Sequence, residues 1–244
     1  MIALLSATWD ELEHLSRVFL TEEEKIVDEL HYKIGYLSGE RIALGATGIG
    51  IKRARKGSSS VIQKLRPGLI ISAGLGGGLS PEMSVGDVVL GENVISLKKG
   101  EKIKLNGEYP ELQHDYRKAD ILTENRFLND PEIKKRLYEK TGAIIVDMET
   151  WGIAEAARQS STPVMSVRTV SDESWERLPD MGAIYGSSGR FDWGKSVPYF
   201  LSHPALLTPY LRFRVRNYRR AVESLNKFLA VLVENLDEPG ARVN

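Results

Sequence analysis

The sequence predicts a single α/β domain with a mixed central β-sheet flanked by helices. Short apolar, β-branched runs recur at residues 1–5, 69–73, 144–149 and 164–172, each suited to a buried strand. Stretches with apolar residues at helical spacing lie between them. The 244 residues suffice for one large domain with a sizeable core.

Two strands near the middle organise the chain. Ile144-Ile145-Val146-Asp147-Met148-Glu149 ends in carboxylates, and so does Val164-Met165-Ser166-Val167-Arg168-Thr169-Val170-Ser171-Asp172. The intervening Thr150 to Ser160 carries Ile153, Ala154, Ala156 and Ala157 at helical spacing. A βαβ unit with parallel strands and a right-handed crossover is expected. It would put Glu149 and Asp172 on one sheet edge, where open α/β sheets bind ligands. Helix capping by Asp147 or Glu149 is the competing reading.

From the N-terminus, Met1 to Leu5 reads as a buried strand, and Leu12, Leu15, Val18 and Phe19 as a helix face. Glu11 sits at the junction, with Asp10 as the alternative acid; the plain reading of Glu11 is a helix-dipole partner. Residues 31–48 read as a hairpin around Ser38-Gly39. A helix then runs from Gly48-Ile49-Gly50 to about Leu65, with Lys52, Arg53, Arg55 and Lys56 crowding its start. Helix N-termini bind anions, but a solvated basic face is the favoured reading.

Leu69 to Ala73 reads as another buried strand. Gly74-Leu75-Gly76-Gly77-Gly78 follows, where backbone can approach a ligand unobstructed. It is not a dinucleotide fingerprint, since Leu79 stands where the last glycine is needed, and no Walker lysine follows. Val85 to Leu90 reads as a strand, and residues 96–120 as polar and irregular. Asp130-Pro131 reads as a helix cap and first position, with the helix running to about Lys140. Residues 175–199 read as a long lid or specificity loop holding Trp175, Tyr185, Phe191, Trp193 and Tyr199, or as aromatics packed onto the body. A long helix to about Leu236 closes the chain, with Leu211, Val215, Tyr218, Val222, Leu225, Leu229 and Leu232 as its stripe.

Composition narrows the function classes. Hydrophobic residues are 42% and charged residues 27%, ordinary for a globular protein. Zero net charge argues against a general nucleic-acid binder. Without cysteine there is no thiolate nucleophile and no Cys-ligated zinc. No apolar run reaches membrane-span length and no signal-peptide pattern opens the chain, so a cytoplasmic location is expected. The basic first half of the last helix could attract an anionic membrane surface, but a solvated face is favoured.

Val146-Asp147-Met148-Glu149 followed by Ser171-Asp172 resembles the paired signature of the purine nucleoside phosphorylase and methylthioadenosine/S-adenosylhomocysteine nucleosidase superfamily. Thr47 to Gly50, Ser72 to Leu79 and Val85 to Val89 fit the same pattern, and the likeness covers roughly residues 1–172. It implies the nucleoside phosphorylase fold, a homo-oligomer, a small purine nucleoside as ligand, and no metal or organic cofactor. Asp172 would be the acid at the purine, with Ser171 orienting it, and Glu11 the base that activates water. Glu149 and Met148 would hold the ribose. Phe127 and Leu128 would meet the base, although core packing also explains Phe127. Gly74, Leu75 and Gly76 would line the site. The phosphorylases hold phosphate with an arginine and a hydroxyl residue; Ser72 and Leu75 stand at those places, which favours water as acceptor. Phosphorolysis is the nearer alternative, and a non-catalytic nucleoside-binding protein the more distant one. The tail after Asp172 resembles the hopanoid-associated nucleosidases, whose proposed substrate is an adenosyl-capped lipid.

Overall fold

A computed structural model describes residues 1–27, 30–184 and 193–236. Among the described residues, ten strands form one mixed sheet. They are β1 (Ile2–Ser6), β2 (Leu20–Val27), β3 (Leu30–Leu37), β4 (Glu40–Ala46), β5 (Leu69–Gly78), β6 (Val88–Ser96), β7 (Glu101–Lys104), β8 (Arg117–Thr123), β9 (Ile145–Asp147) and β10 (Val164–Asp172). The order is β10-β6-β8-β9-β5-β1-β4-β3-β2, with β7 paired to β6 off this path, and β10 also pairs with β5. Strands β5, β10, β6, β8 and β9 therefore close on themselves, and β1 to β4 extend the sheet from β5. Closure leaves those five strands without a free edge, so β5 and β10 are buried along nearly their whole length.

Helices α1 (Glu13–Val18), α2 (Ile51–Leu65), α3 (Pro131–Thr141) and α4 (Thr150–Gln159) cover the sheet. Later come α5 (Met181–Ile184), α6 (Trp193–Ser202), α7 (Leu207–Arg212) and α8 (Tyr218–Glu234). One core cluster joins Leu4, Ile71 and Val167 of the sheet to Leu225, Phe228, Leu229 and Leu232 of α8. A second, on the other face, packs Ala3, Leu5 and Ile70 against Ala54, Val61, Trp151 and Ala154 of α2 and α4. Among the described residues no helix is long and apolar enough to cross a membrane.

Several local expectations hold. The hairpin turns at Ser38-Gly39, both with positive φ (51° and 87°). Asp130 caps α3 by accepting from Glu132 N at 3.0 Å, with Pro131 at the first position.

Others are corrected. Strands β9 and β10 are neither neighbours nor parallel. Strand β9 runs antiparallel to β5 while β10 runs parallel to it, because ring closure inserts β5 between them. Strand β9 also stops at Asp147, which leaves Glu149 in the turn before α4. Residues 96–120 are not wholly irregular, since β7 and the start of β8 fall there. The strand expected from Val85 begins at Val88, after a turn with Gly86 at φ 96°. The stretch 175–199 is no continuous loop, as α5 and the first seven residues of α6 fall in it. Tyr185 and Phe191 lie outside the described residues. Trp175 is 59% exposed, with the Arg212 guanidinium 6.0 Å from its ring centre.

The last helix is continuous but not uniform. A π-helical turn, Phe213–Asn217, separates α7 from α8. It rotates the preceding face, so Tyr210, Phe213 and Asn217 are buried while Leu211 and Val215 of the expected stripe are exposed. Asn217 Nδ2 donates to both carboxylate oxygens of buried Glu176 at 3.1 Å, tying this turn to the segment after β10.

Candidate active site

The second half of β5 gathers the candidate residues. Leu75 N donates to Glu11 Oε1 at 3.2 Å. Gly76 O accepts from Ser171 Oγ at 3.2 Å. Gly77 lies opposite Asp172 in the β10 register and opposite Val146 in the β9 register. Glycine is required at 76, where a Cβ would come within 2.8 Å of Val146 O and of the Ile145 side chain. At 77 a Cβ would stand 3.1 Å from Asp172 Oδ2.

Glu11 is the third residue of a 3-10 turn, Trp9–Leu12, that follows β1. Its Oε2 accepts from Ala7 N and Thr8 N, both at 3.0 Å. Asn226 of α8 anchors the turn from outside, donating to Glu11 O at 2.8 Å and accepting from Leu15 N at 2.9 Å. Burial pushes the Glu11 carboxyl above its usual range, opposed by the Leu75, Thr8 and Ala7 amides and by Arg168. The alternative acid, Asp10, is exposed.

Asp147 and Glu149 divide the roles that sequence left open. Asp147 Oδ2 accepts from Thr150 N at 3.0 Å and from the Thr150 hydroxyl, and Oδ1 accepts from Thr123 Oγ1 at 2.6 Å. It is the acid that ties down the start of α4. Glu149 makes no such cap. Its Oε1 instead accepts from Gly50 N at 2.8 Å, at the mouth of α2. The acceptor at that helix start is thus the chain's own carboxyl group, at a place where the helix dipole favours negative charge. Lys52, Arg53, Arg55 and Lys56 are exposed, as a solvated face requires. Lys52, Arg55 and Lys56 line a groove of about 740 Å³ with Lys98, Lys99 and Trp151; none of Glu11, Glu149 or Asp172 lines it.

Burial pushes Glu149 up to about 8, helped by the charges of Asp147 and Glu11 and opposed by Arg168 and the Gly50 amide. The folded protein therefore keeps a proton that the unfolded chain, titrating near the ordinary 4.5, has released. A raised carboxyl of this kind makes stability fall as pH rises from about 4.5 towards 8, and its contribution is gone above that. Glu149→Gln removes the titration. The variant's melting temperature should fall less than the parent's between about pH 5 and about pH 9, and exceed it at the alkaline end. Parallel melting curves for both proteins across that range would contradict the assignment.

Two buried cations were not singled out from sequence. Arg168 stands in the middle of β10 with about 1% exposure. Its Nε donates to Asp147 Oδ2 at 2.7 Å, Nη1 to Ser72 O and Val167 O at 2.8 and 2.9 Å, and Nη2 to Ser72 Oγ at 2.8 Å. Ser72, aligned with the phosphorylase arginine, thus receives an arginine from the neighbouring strand. A charged residue inside an otherwise apolar strand was the available signal. Lys134 of α3 is fully buried, and its Nζ donates to Asp172 Oδ2 and, at 2.8 Å, to Glu173 O. Ser171 Oγ donates to Asp172 Oδ1 at 2.7 Å. The surroundings of Asp172 are therefore polar and cationic on one side.

The remaining candidates differ in burial. Met148 and Leu75 are half-buried. Phe127 is half-buried too and meets Phe213 edge-on, with ring centres 6.5 Å apart. Leu128 is buried with Leu79, Leu122 and Val146, so its side chain is core.

The sequence model of the phosphorylase superfamily matches residues 1–120 and 112–180. The chain belongs to the phosphorylase superfamily. Within it, the chain is 24% identical over 202 residues to the 5′-methylthioadenosine/S-adenosylhomocysteine nucleosidase of Listeria innocua, covering 70% of this chain and 85% of that protein. The nucleosidase of Geobacillus thermodenitrificans gives 26% over 202 residues, covering 71% and 84%. A DeoD-type purine nucleoside phosphorylase from Thermoanaerobacter gives 27% over 155 residues, covering 57% and 66%. Among solved structures, the Neisseria meningitidis nucleosidase bound to methylthio-immucillin-A superposes with a TM-score of 0.72 at 20% identity, covering 96% of this chain and 99% of that one. At that identity the likeness carries the fold, including the tail beyond residue 180 that the family match leaves out.

Proposed function

We propose that this protein hydrolyses the N-ribosidic bond of a 5′-substituted adenine nucleoside and releases the free base. The observation that carries this reading is the placement of two differently equipped buried acids along one strand. Glu11 is held at Leu75 by backbone amides, and Asp172 lies beside Gly77 with an ammonium behind it. Two residues of strand separate these points by about 7 Å, room for a sugar between a base and an acid.

In this reading Glu11, its carboxyl raised by burial, takes a proton from the attacking water. Glu149 accepts from the ribose hydroxyls, with Met148 beside it, and its charge stabilises the cationic sugar. Asp172, oriented by Ser171, protonates the leaving purine at N7. Gly74, Leu75 and Gly76 bring backbone close to the ligand, and Phe127 and Leu128 lie towards the base, Leu128 through its backbone. The relatives named as methylthioadenosine and S-adenosylhomocysteine nucleosidases support this substrate class.

Hydrolysis is favoured over phosphorolysis by the state of the cations. Arg168 donates four bonds to Ser72, Val167 and Asp147 and is buried. Arg55 pairs with Glu155 at 3.2 Å, in a groove that none of Glu11, Glu149 or Asp172 lines. Leu75 would desolvate a phosphate without returning a hydrogen bond, at a cost of several kcal/mol.

Incubation with 5′-methylthioadenosine, S-adenosylhomocysteine and adenosine should release free adenine, read by chromatography. Glu11→Gln should lower this release by at least about 10²-fold while leaving nucleoside binding within about threefold. Binding without any base release by the parent would establish the non-catalytic alternative instead. The same reading expects a homo-oligomer, checked by light scattering on a sizing column.

A further inference from the structure

We propose that Lys134 is a positioning residue for this reaction, supplying through Asp172 the proton that the leaving purine takes. The inference rests on the nucleosidase reading above and adds the source of the acid.

Lys134 occupies a costly place. It is fully buried, and lysine is almost never so unless paired. It lies in the first turn of α3, where the helix dipole disfavours a cation. Neither burial nor helix stability explains it, and Asp172 does. The ammonium reaches Oδ2, while Ser171 holds Oδ1 at 2.7 Å. Glu173 O, at 2.8 Å, fixes the ammonium from the adjoining residue. Asp172 thus has one oxygen held by a hydroxyl and the other joined to a group that carries a transferable proton. Oδ2 also faces Gly77, which has no side chain to block it.

Where water is excluded, an ion pair and its neutral form, amine beside carboxylic acid, lie closer in energy than in water. A proton can therefore cross from Nζ to Oδ2 without changing the net charge of the site. As the N-ribosidic bond breaks, its electron pair goes to the purine. Oδ2 gives the proton to N7, which leaves Asp172 a carboxylate and Lys134 an amine. Water gives its hydroxyl to C1′ and its other proton to Glu11. Transfer of that proton through solvent to Lys134 restores both groups.

The test compares two leaving groups on one sugar. 5′-Methylthioadenosine needs protonation of its base; the 4-nitrophenyl glycoside of the same 5-methylthioribose leaves as a stable phenolate and needs none. Lys134→Met keeps the stem and removes the proton. It should lower kcat/KM on the adenosine by at least about 30-fold and on the nitrophenyl glycoside by less than about threefold. Because both rates come from one preparation, their ratio does not depend on the folded fraction. Lys134→Gln, which keeps a donor towards Asp172 but has no transferable proton, should show the same split; it replaces the methionine variant if that one does not fold. Equal losses on both substrates, or no loss on either, would overturn the inference. Equal losses would mean that Lys134 only holds the fold, and no loss that Asp172 acquires its proton unaided. A parent protein that cleaves neither substrate sinks the nucleosidase reading, and this inference with it.

Discussion

Asp172→Asn lowers turnover of adenine nucleosides by at least about 10²-fold while nucleoside binding changes little. Asparagine keeps the shape; with its carbonyl towards the Lys134 ammonium and its amide donating to the Ser171 hydroxyl, the tie between α3 and β10 survives. It cannot pass a proton to the purine, and the base must then leave as an anion. The loss should fall on kcat rather than on binding, because the proton is needed only as the bond breaks. Turnover within a few-fold of the parent, measured as adenine release under single-turnover conditions, would remove Asp172 from the mechanism.

Glu149→Gln acts on the sugar instead. Its carboxylate is fixed by Gly50 N at 2.8 Å and lies near enough to Arg168, Asp147 and Glu11 to feel their charges. Gln retains the size and one acceptor but loses the charge, which matters most when the ribose is cationic. A loss in kcat/KM of about 2 kcal/mol or more is expected on ribosides. A 2′-deoxyriboside should be a poorer substrate for the parent and should suffer less from the substitution. Equal losses on ribose and 2′-deoxyribose substrates would show that the contact is wrongly assigned. The parent's kcat/KM should also rise with pH through about 8, as Glu149 ionises. In Glu11→Gln this limb should move to lower pH, because a neighbouring negative charge that raises Glu149 is gone.

Much of the fold is legible because buried strands write continuous apolar runs. Strands β1, β5 and β10 stand where Met1 to Leu5, Leu69 to Ala73 and Val164 to Asp172 put them. Strand β2 carries no such mark. It is an edge strand whose Leu20 and Ile26 are exposed among Glu22, Glu23, Glu24 and Lys25, so its alternation never emerges. Ring closure is a long-range property, and a strand-helix-strand pattern reads as parallel whether or not a third strand intervenes. The direction of β9 was therefore out of reach.

The site divides along the same line. Glu11, Glu149, Ser171 and Asp172 end or follow apolar runs, where a polar residue is conspicuous, and all four adjoin the region that β5 organises. Lys134 sits in Glu132-Ile133-Lys134-Lys135-Arg136, which reads as solvated surface; only packing shows that one of these cations turns inward. The capping role of Asp147 was half-legible, and Arg168 decides it by occupying the same carboxylate from β10.

The central claim is that water, not phosphate, receives the ribosyl group. Its most direct measurement is the sugar product formed from 5′-methylthioadenosine with and without inorganic phosphate, followed by phosphorus and proton NMR. The expected result is base release at the same rate in both buffers, with free 5-methylthioribose as the only sugar product. Strict dependence on phosphate, with a sugar 1-phosphate accumulating as adenine appears, would contradict it. That result would turn attention to Arg53, whose stem packs over Gly48 at the turn before α2.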